Sequence, residues 1–260
     1  MNQTPASFTD PEPVPAPQTV RVRMPSTPPT VTYVLIAVTV VFYILQQLAT
    51  VFFGYAIYDI GWLEFFGARI NSAILAGQLW RLITPVFLHG SLMHIFFNMY
   101  ALLSVGSFLE SHLGHVRFIL LYFLGAFAGN VFSFLFTGSN GYSLGASTAV
   151  FGLIAAEAVF FFQNRSLFGA HAKQAIGNAV IIIFINLFIG LSPGIDNWGH
   201  MGGLLGGAMF AWFASPRWAV IGIPPDMDLL DQRESREIIT GVGLVILVFG
   251  ALAAAGFFIQ

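Results

Sequence analysis

Four side chains in this sequence are of the types that acyl transfer requires. Ser147 follows Gly145-Ala146, and His200 stands in Gly199-His200-Met201-Gly202-Gly203. His94 and Asn98 are four residues apart, a spacing that puts them on one face of a helix. A serine hydroxyl is a weak nucleophile until a base takes its proton during attack, and an imidazole titrates in the range where it can do so near neutral pH. The tetrahedral intermediate then carries an oxyanion that needs fixed donors. Asn98 offers an amide N–H, His94 an imidazole N–H, and Ser147 its own backbone N–H. Taken singly, each residue has an ordinary reading: Ser147 as a helix N-cap, His200 as an interfacial histidine, His94 and Asn98 as bonds between helices. Taken together they are the parts list of a nucleophile, a base and an oxyanion site.

The elements that must carry them are transmembrane helices. Only 8% of the residues are charged and 57% are hydrophobic, with 28 Phe in 260 residues. A soluble domain carries roughly a quarter charged residues, so the solvent for this chain is the bilayer. Seven apolar stretches can be marked, at 31–53, 91–109, 116–136, 147–163, 175–191, 199–215 and 239–259. A straight helix needs about 20 residues to cross the hydrocarbon core, and about 17 still suffice. The fold class expected is an all-α polytopic bundle. Residues 1–30 hold 8 of the 13 prolines and no apolar run or signal-peptide pattern, and read as a disordered tail.

Orientation follows from the basic residues of the flanking segments. With the N-terminus in the cytoplasm, Arg21, Arg23, Arg117, Arg165, Lys173, Arg217, Arg233 and Arg236 lie inside, and only Arg69 and Arg81 outside. The C-terminus then lies outside. On this topology His94, Asn98, Ser147 and His200 sit at similar depth near the outer surface, supplied by the second, fourth and sixth helices. The aromatic-rich segment 54–90 lies in the outer interface.

Small residues fit a close contact between those helices. Gly199, Gly203 and Gly207 recur every four residues on the sixth helix, and Ala149, Gly152 and Ala156 give the fourth a comparable face. Phe151, one turn after Ser147, is placed to stack on the His200 ring or simply to pack, and Gly145 leaves room for a substrate backbone.

These motifs jointly resemble those of the rhomboid intramembrane serine proteases. Gly145-Ala146-Ser147-Thr148 is similar to the family's GxSx motif, and Gly199-His200 with Gly203 and Gly207 to its sixth-helix glycine pattern. His94 to Asn98 resembles HxxxN, Trp80-Arg81 the first-loop WR pair, and Glu110 with Gly114 the ExxxG of the second helix. Thr148 departs from the Gly of many members. The resemblance implies a six-helix protease core at 31–215, a cytoplasmic linker at 216–238 and an additional helix at 239–260. It implies cleavage of transmembrane protein substrates within the lipid bilayer by a Ser147–His200 dyad, and the location expected is a bacterial plasma membrane. It also implies substrate entry past the fifth helix.

No cofactor and no metal are expected. The chain has no cysteine, and His89 and His94 lack an accompanying carboxylate. His89, His112, His115 and His171 read as loop or interfacial histidines, Glu157 as structural, and Asp196 as a hydrated carboxylate in an exposed loop. A net charge of −2 gives no reason to expect nucleic acid, and the sequence leaves the oligomeric state open. The rival readings are a rhomboid-like pseudoprotease, which both Ser147 and His200 argue against, and a small polytopic transporter, which lacks the expected inverted repeat.

Overall fold

The computed structural model describes residues 22, 24–57, 59–138, 141–223 and 226–259. The tail reading for 1–30 falls mostly on residues outside this set. The protein is a polytopic membrane helical bundle of seven principal helices. They are α1 Thr30–Phe53, α2 Leu92–Leu113, α3 His115–Phe136, α4 Ser147–Gln163, α5 Ala170–Ile189, α6 Asn197–Ala214 and α7 Ser235–Ile259. Each corresponds to one marked apolar stretch. α2 runs beyond its marked end, and α5, α6 and α7 begin two to five residues before their marked starts, because polar residues at a span's end stay helical in the interface; α5 and α6 stop one or two residues short of their marked ends.

Five of the seven, all but α4 and α6, are long and apolar enough to cross a bilayer. At 17 residues, α4 is about 26 Å long. It is largely enclosed by its neighbours, whereas α1 and α5 turn most of their surface outward. α6 packs chiefly on α3 and α4, and glycines make both contacts possible. A Cβ on Gly203 would run into the Thr148 carbonyl, and one on Gly207 into the Gly152 backbone. A second face, Gly202 and Gly206, meets Ala128 of α3. The small face read on α4 is corrected in part: Ala149 meets Gly125 of α3, and Thr148 is the residue facing Gly199 and Gly203. A single-residue offset on a helix turns a side chain by about 100°, enough to move it to another neighbour.

The connections are folded too. Short strands β1 Tyr55–Ile57 and β2 Ile60–Gly61 pair, and a helix at Trp62–Gly67 follows. β3 Arg69–Ile70 then pairs with β4 Tyr142–Ser143, which precedes Ser147. Beyond α6, β5 Trp218–Ile223 and β6 Asp226–Asp231 form a hairpin in the linker. Arg81 holds segment 54–90 together. Buried at 2% exposure, it donates to the carbonyls of Ala68 and Phe65 at 2.6 Å each and to Gln78 Oε1 at 2.8 Å. Glu110 ties α2 to the start of α1, accepting from the Val31 and Thr32 N–H groups and the Thr32 hydroxyl, all at 2.7 Å. Those are the orphan donors of an uncapped helix start, which explains an acid buried at the end of a span.

Candidate active site

Ser147 is the first residue of α4, one position past the N-cap, which is Ala146. Ser147 Oγ lies 3.0 Å from His200 Nε2. His200 sits in the first turns of α6 and is 8% exposed, with its Nδ1 buried and free of any hydrogen-bond partner. Among the described residues no carboxylate is hydrogen-bonded to the ring. The Phe151 ring lies parallel to it, centroids 4.1 Å apart and planes 8° from coplanar, so stacking holds the imidazole where a soluble protease would use a hydrogen bond.

The strand and loop before Ser147 are fastened to segment 54–90 at three levels. The β3–β4 ladder sets Arg69 opposite Ser143. The Gly145 N–H donates to the Pro85 carbonyl at 2.9 Å, and the Ala146 N–H donates to His89 Nε2 at 3.3 Å. Gly145 has φ +129°, and a Cβ there would lie 2.7 Å from His94 Nε2 and 3.7 Å from Ser147 Oγ. The glycine is therefore required twice, by its backbone angle and by the approach of His94. The same empty position shows that His94 and Ser147 flank one small space. Asn98, 7% exposed, donates one amide N–H to the His94 carbonyl at 2.9 Å, which leaves its second N–H for a ligand.

Two readings of single residues need correction. His89 does lie in the loop before α2, but it is fully buried rather than interfacial, edge-on to His94 at 5.0 Å between ring centroids. Burial, with His94 beside it, pushes its pKa down to about 3, so the ring is neutral and can accept the Ala146 N–H. Gln46 of α1 bonds the His89 backbone at both N–H and carbonyl, at 3.1 and 3.3 Å. Its five-residue spacing from His94 is the only sequence signal that it belongs to this cluster. Asp196 is likewise no hydrated loop carboxylate. It is the N-cap of α6, accepting the Gly199 N–H at 2.9 Å and bonded to the Ser133 hydroxyl. Pro193 and Gly194 suggested a longer loop, but the helix begins as soon as an Asp can cap it.

This division of labour has a measurable consequence. Phe151→Ala is expected to lower turnover about fivefold, since an aromatic stack is worth about 1 kcal/mol beyond its buried area and about 1.4 kcal/mol is a factor of ten. Asp196→Asn keeps an oxygen for the cap and is expected to hold at least about a third of the wild-type rate, Asn and Asp being near-equal caps. If Asp196→Asn, still folded by thermal melting, drops to the level of an inactive serine variant, a carboxylate belongs to the reacting set and the stacking account fails.

The arrangement is a serine and a histidine in hydrogen-bond contact, with His94 beside them, inside an integral membrane bundle. Comparison with known proteins identifies the family. The family profile for the Rhomboid domain matches residues 76–217, and the chain belongs to the rhomboid family. It is 38% identical over 226 residues to Rhomboid protease GluP of Bacillus subtilis, covering 86% of this chain and 40% of that one. It is 32% identical over 195 residues to RHOMBOID-like protein 4 of Arabidopsis thaliana, covering 71% of this chain and 47% of the relative. With Rhomboid-like protease 1 of Toxoplasma gondii the identity is 38% over 149 residues, 55% of this chain and 49% of that one. The chain thus spans about half or less of the length of these relatives.

Proposed function

We propose that this protein is an intramembrane serine endopeptidase that cleaves transmembrane segments of other membrane proteins. The observation that carries the reading is the 3.0 Å contact between Ser147 Oγ and His200 Nε2. Nothing in packing a bundle calls for it, and intramembrane polar groups of this kind are costly. In the reaction, Ser147 Oγ attacks the scissile carbonyl carbon as its proton passes to His200 Nε2. The oxyanion is held by the Ser147 N–H, the free Asn98 N–H and His94. Collapse breaks the C–N bond, and the imidazolium returns its proton to the leaving amine, giving an acyl-enzyme. Water, deprotonated by His200, then attacks the ester and regenerates the serine.

The protease core is residues 31–215, with α7 an addition to it. The eight-to-two division of the basic residues supports a cytoplasmic N-terminus, and on this reading the site lies near the outer surface of the membrane, which we take to be a bacterial plasma membrane. The test is to incubate the purified chain with a single-span substrate, with and without a fluorophosphonate. Cleavage at one bond, blocked by a covalent adduct on Ser147, is expected. Cleavage that survives full modification of Ser147 would falsify the mechanism, and binding without cleavage would assign the chain to the pseudoproteases.

Asn98→Ala and His94→Ala are each expected to slow the chemical step without abolishing it, because the Ser147 backbone donor remains. Loss of one oxyanion donor costs about 3 kcal/mol in other acyl-transfer enzymes. Single-turnover acylation rates measure this directly; wild-type acylation in both variants would remove them from the oxyanion site.

A further inference from the structure

Arg69 is fully buried in segment 54–90, and the mechanism above does not use it. A buried arginine is costly unless its N–H groups are paired; Nε and Nη1 of Arg69 are paired and Nη2 is not, and the partners of the first two say what it is for. Arg69 Nε donates to the Ser143 hydroxyl at 2.9 Å, and the β3–β4 ladder pairs the two backbones. Ser143 is four residues before Ser147, on the chain that delivers the nucleophile. On its other side Arg69 Nη1 donates to Asn71 Oδ1. Asn71 Nδ2 in turn donates to the carbonyls of Phe134, Thr137 and Gly138, at 3.0, 2.6 and 3.1 Å, closing the end of α3. In that last turn Ser133, in contact with Thr137 at 3.4 Å, donates to Asp196, whose other oxygen caps α6 at Gly199, next to His200. A continuous chain of bonds therefore leads from one guanidinium to the element bearing Ser147 and to the helix bearing His200.

We propose that Arg69 is a positioning residue that braces both members of the Ser147–His200 pair from the outer segment. This rests on the reading of that pair as the catalytic dyad. The two residues lie 53 positions apart in the chain, and their 3.0 Å contact tolerates little relative movement. Packing at Gly203 fixes how closely α4 and α6 approach. Arg69 fixes the start of α4 against the start of α6. Burial pushes the Arg69 pKa down from its ordinary value, and the Asp196 charge opposes that shift, which keeps the guanidinium charged and its donors in place.

The test uses the full chain in liposomes, with active sites titrated by a fluorophosphonate so that any misfolded fraction is divided out. Arg69→Met is expected to lower kcat per titrated site at least tenfold with KM within twofold of wild type, and to slow fluorophosphonate acylation in proportion. Arg69→Lys, which keeps a charge and one donor, should recover much of both rates. Ser143→Ala, a mild change that removes only the nucleophile-side bond, should cost at least threefold in kcat, and it decides the matter if Arg69→Met does not fold. Wild-type kcat per site in Arg69→Met or Ser143→Ala overturns the brace, as does a defect confined to melting temperature. If instead wild type and Ser147→Ala cleave equally, the dyad reading itself is wrong, an outcome distinct from a wild-type rate in Arg69→Met.

Discussion

Ser147→Ala and His200→Ala should each reduce cleavage to the uncatalysed background while leaving the protein folded. Neither side chain holds the bundle together. Ser147 is not the N-cap of α4, which is Ala146, and the His200 ring contributes one contact to Ser147 and one stacked face to Phe151. Alanine at 147 removes little buried area, whereas alanine at 200 removes a buried ring and should melt somewhat lower. The chemical loss is of another order, because nucleophile and base act as a unit: removing either one from a soluble serine protease costs on the order of 10⁶ in kcat. The two variants should therefore be equally inactive, and the double variant no worse. Thermal melting within a few degrees of wild type, with substrate intact after extended incubation, is the expected result. Residual cleavage at the same bond in purified Ser147→Ala would mean that another group is the nucleophile.

Gly203→Val should be nearly as damaging by a purely geometric route. The Cβ of any residue at 203 would press on the Thr148 carbonyl, one residue beyond Ser147. A backbone carbonyl cannot rotate out of the way as a side chain would, so α4 and α6 must separate at the level where Ser147 meets His200. Overpacking a filled core costs about 1–3 kcal/mol, and a hydrogen bond weakens steeply once its geometry is lost. The expected outcome is a lower melting temperature together with at least about a hundredfold loss of kcat/KM, the loss of roughly 3 kcal/mol in barrier terms. Gly203→Ala should show both effects in smaller measure. A Gly203→Val protein that cleaves at the wild-type rate would show that the dyad does not depend on this approach of the helices.

What could be read from the sequence was whatever is written in local pattern. A helix that must satisfy all its backbone bonds in lipid announces itself as one apolar run, so the seven runs correspond to seven helices. The polar residues on three of them stood out because such residues are rare there. The glycines of α6 were legible for the same reason, being a repeat on one face. His89, Thr148, Arg69 and Asp196 were not, and they share a cause. Each acts through partners far along the chain: His89 on Ala146, Thr148 on Gly203, Arg69 on Ser143, Asp196 on Ser133. Segment 54–90 has no periodicity for the same reason. It folds through side-chain bonds to backbone carbonyls, such as those of Arg81, and these leave no mark on hydropathy.

The two helices that carry the reacting pair are also the two that fall short as membrane spans: α4 is short, and α6 holds five glycines with His200 and Asn197. A weakly apolar segment is a poor signal for insertion on its own and relies on neighbours already in place. This bears on biogenesis. On the proposed reading, a nascent chain that has delivered only α1 to α5 contains the nucleophile but no base. It would acquire one only when α6 settles between α3 and α4, so that hydrolytic power would arrive with assembly and the membrane in which the protein is being made would be spared a half-built protease.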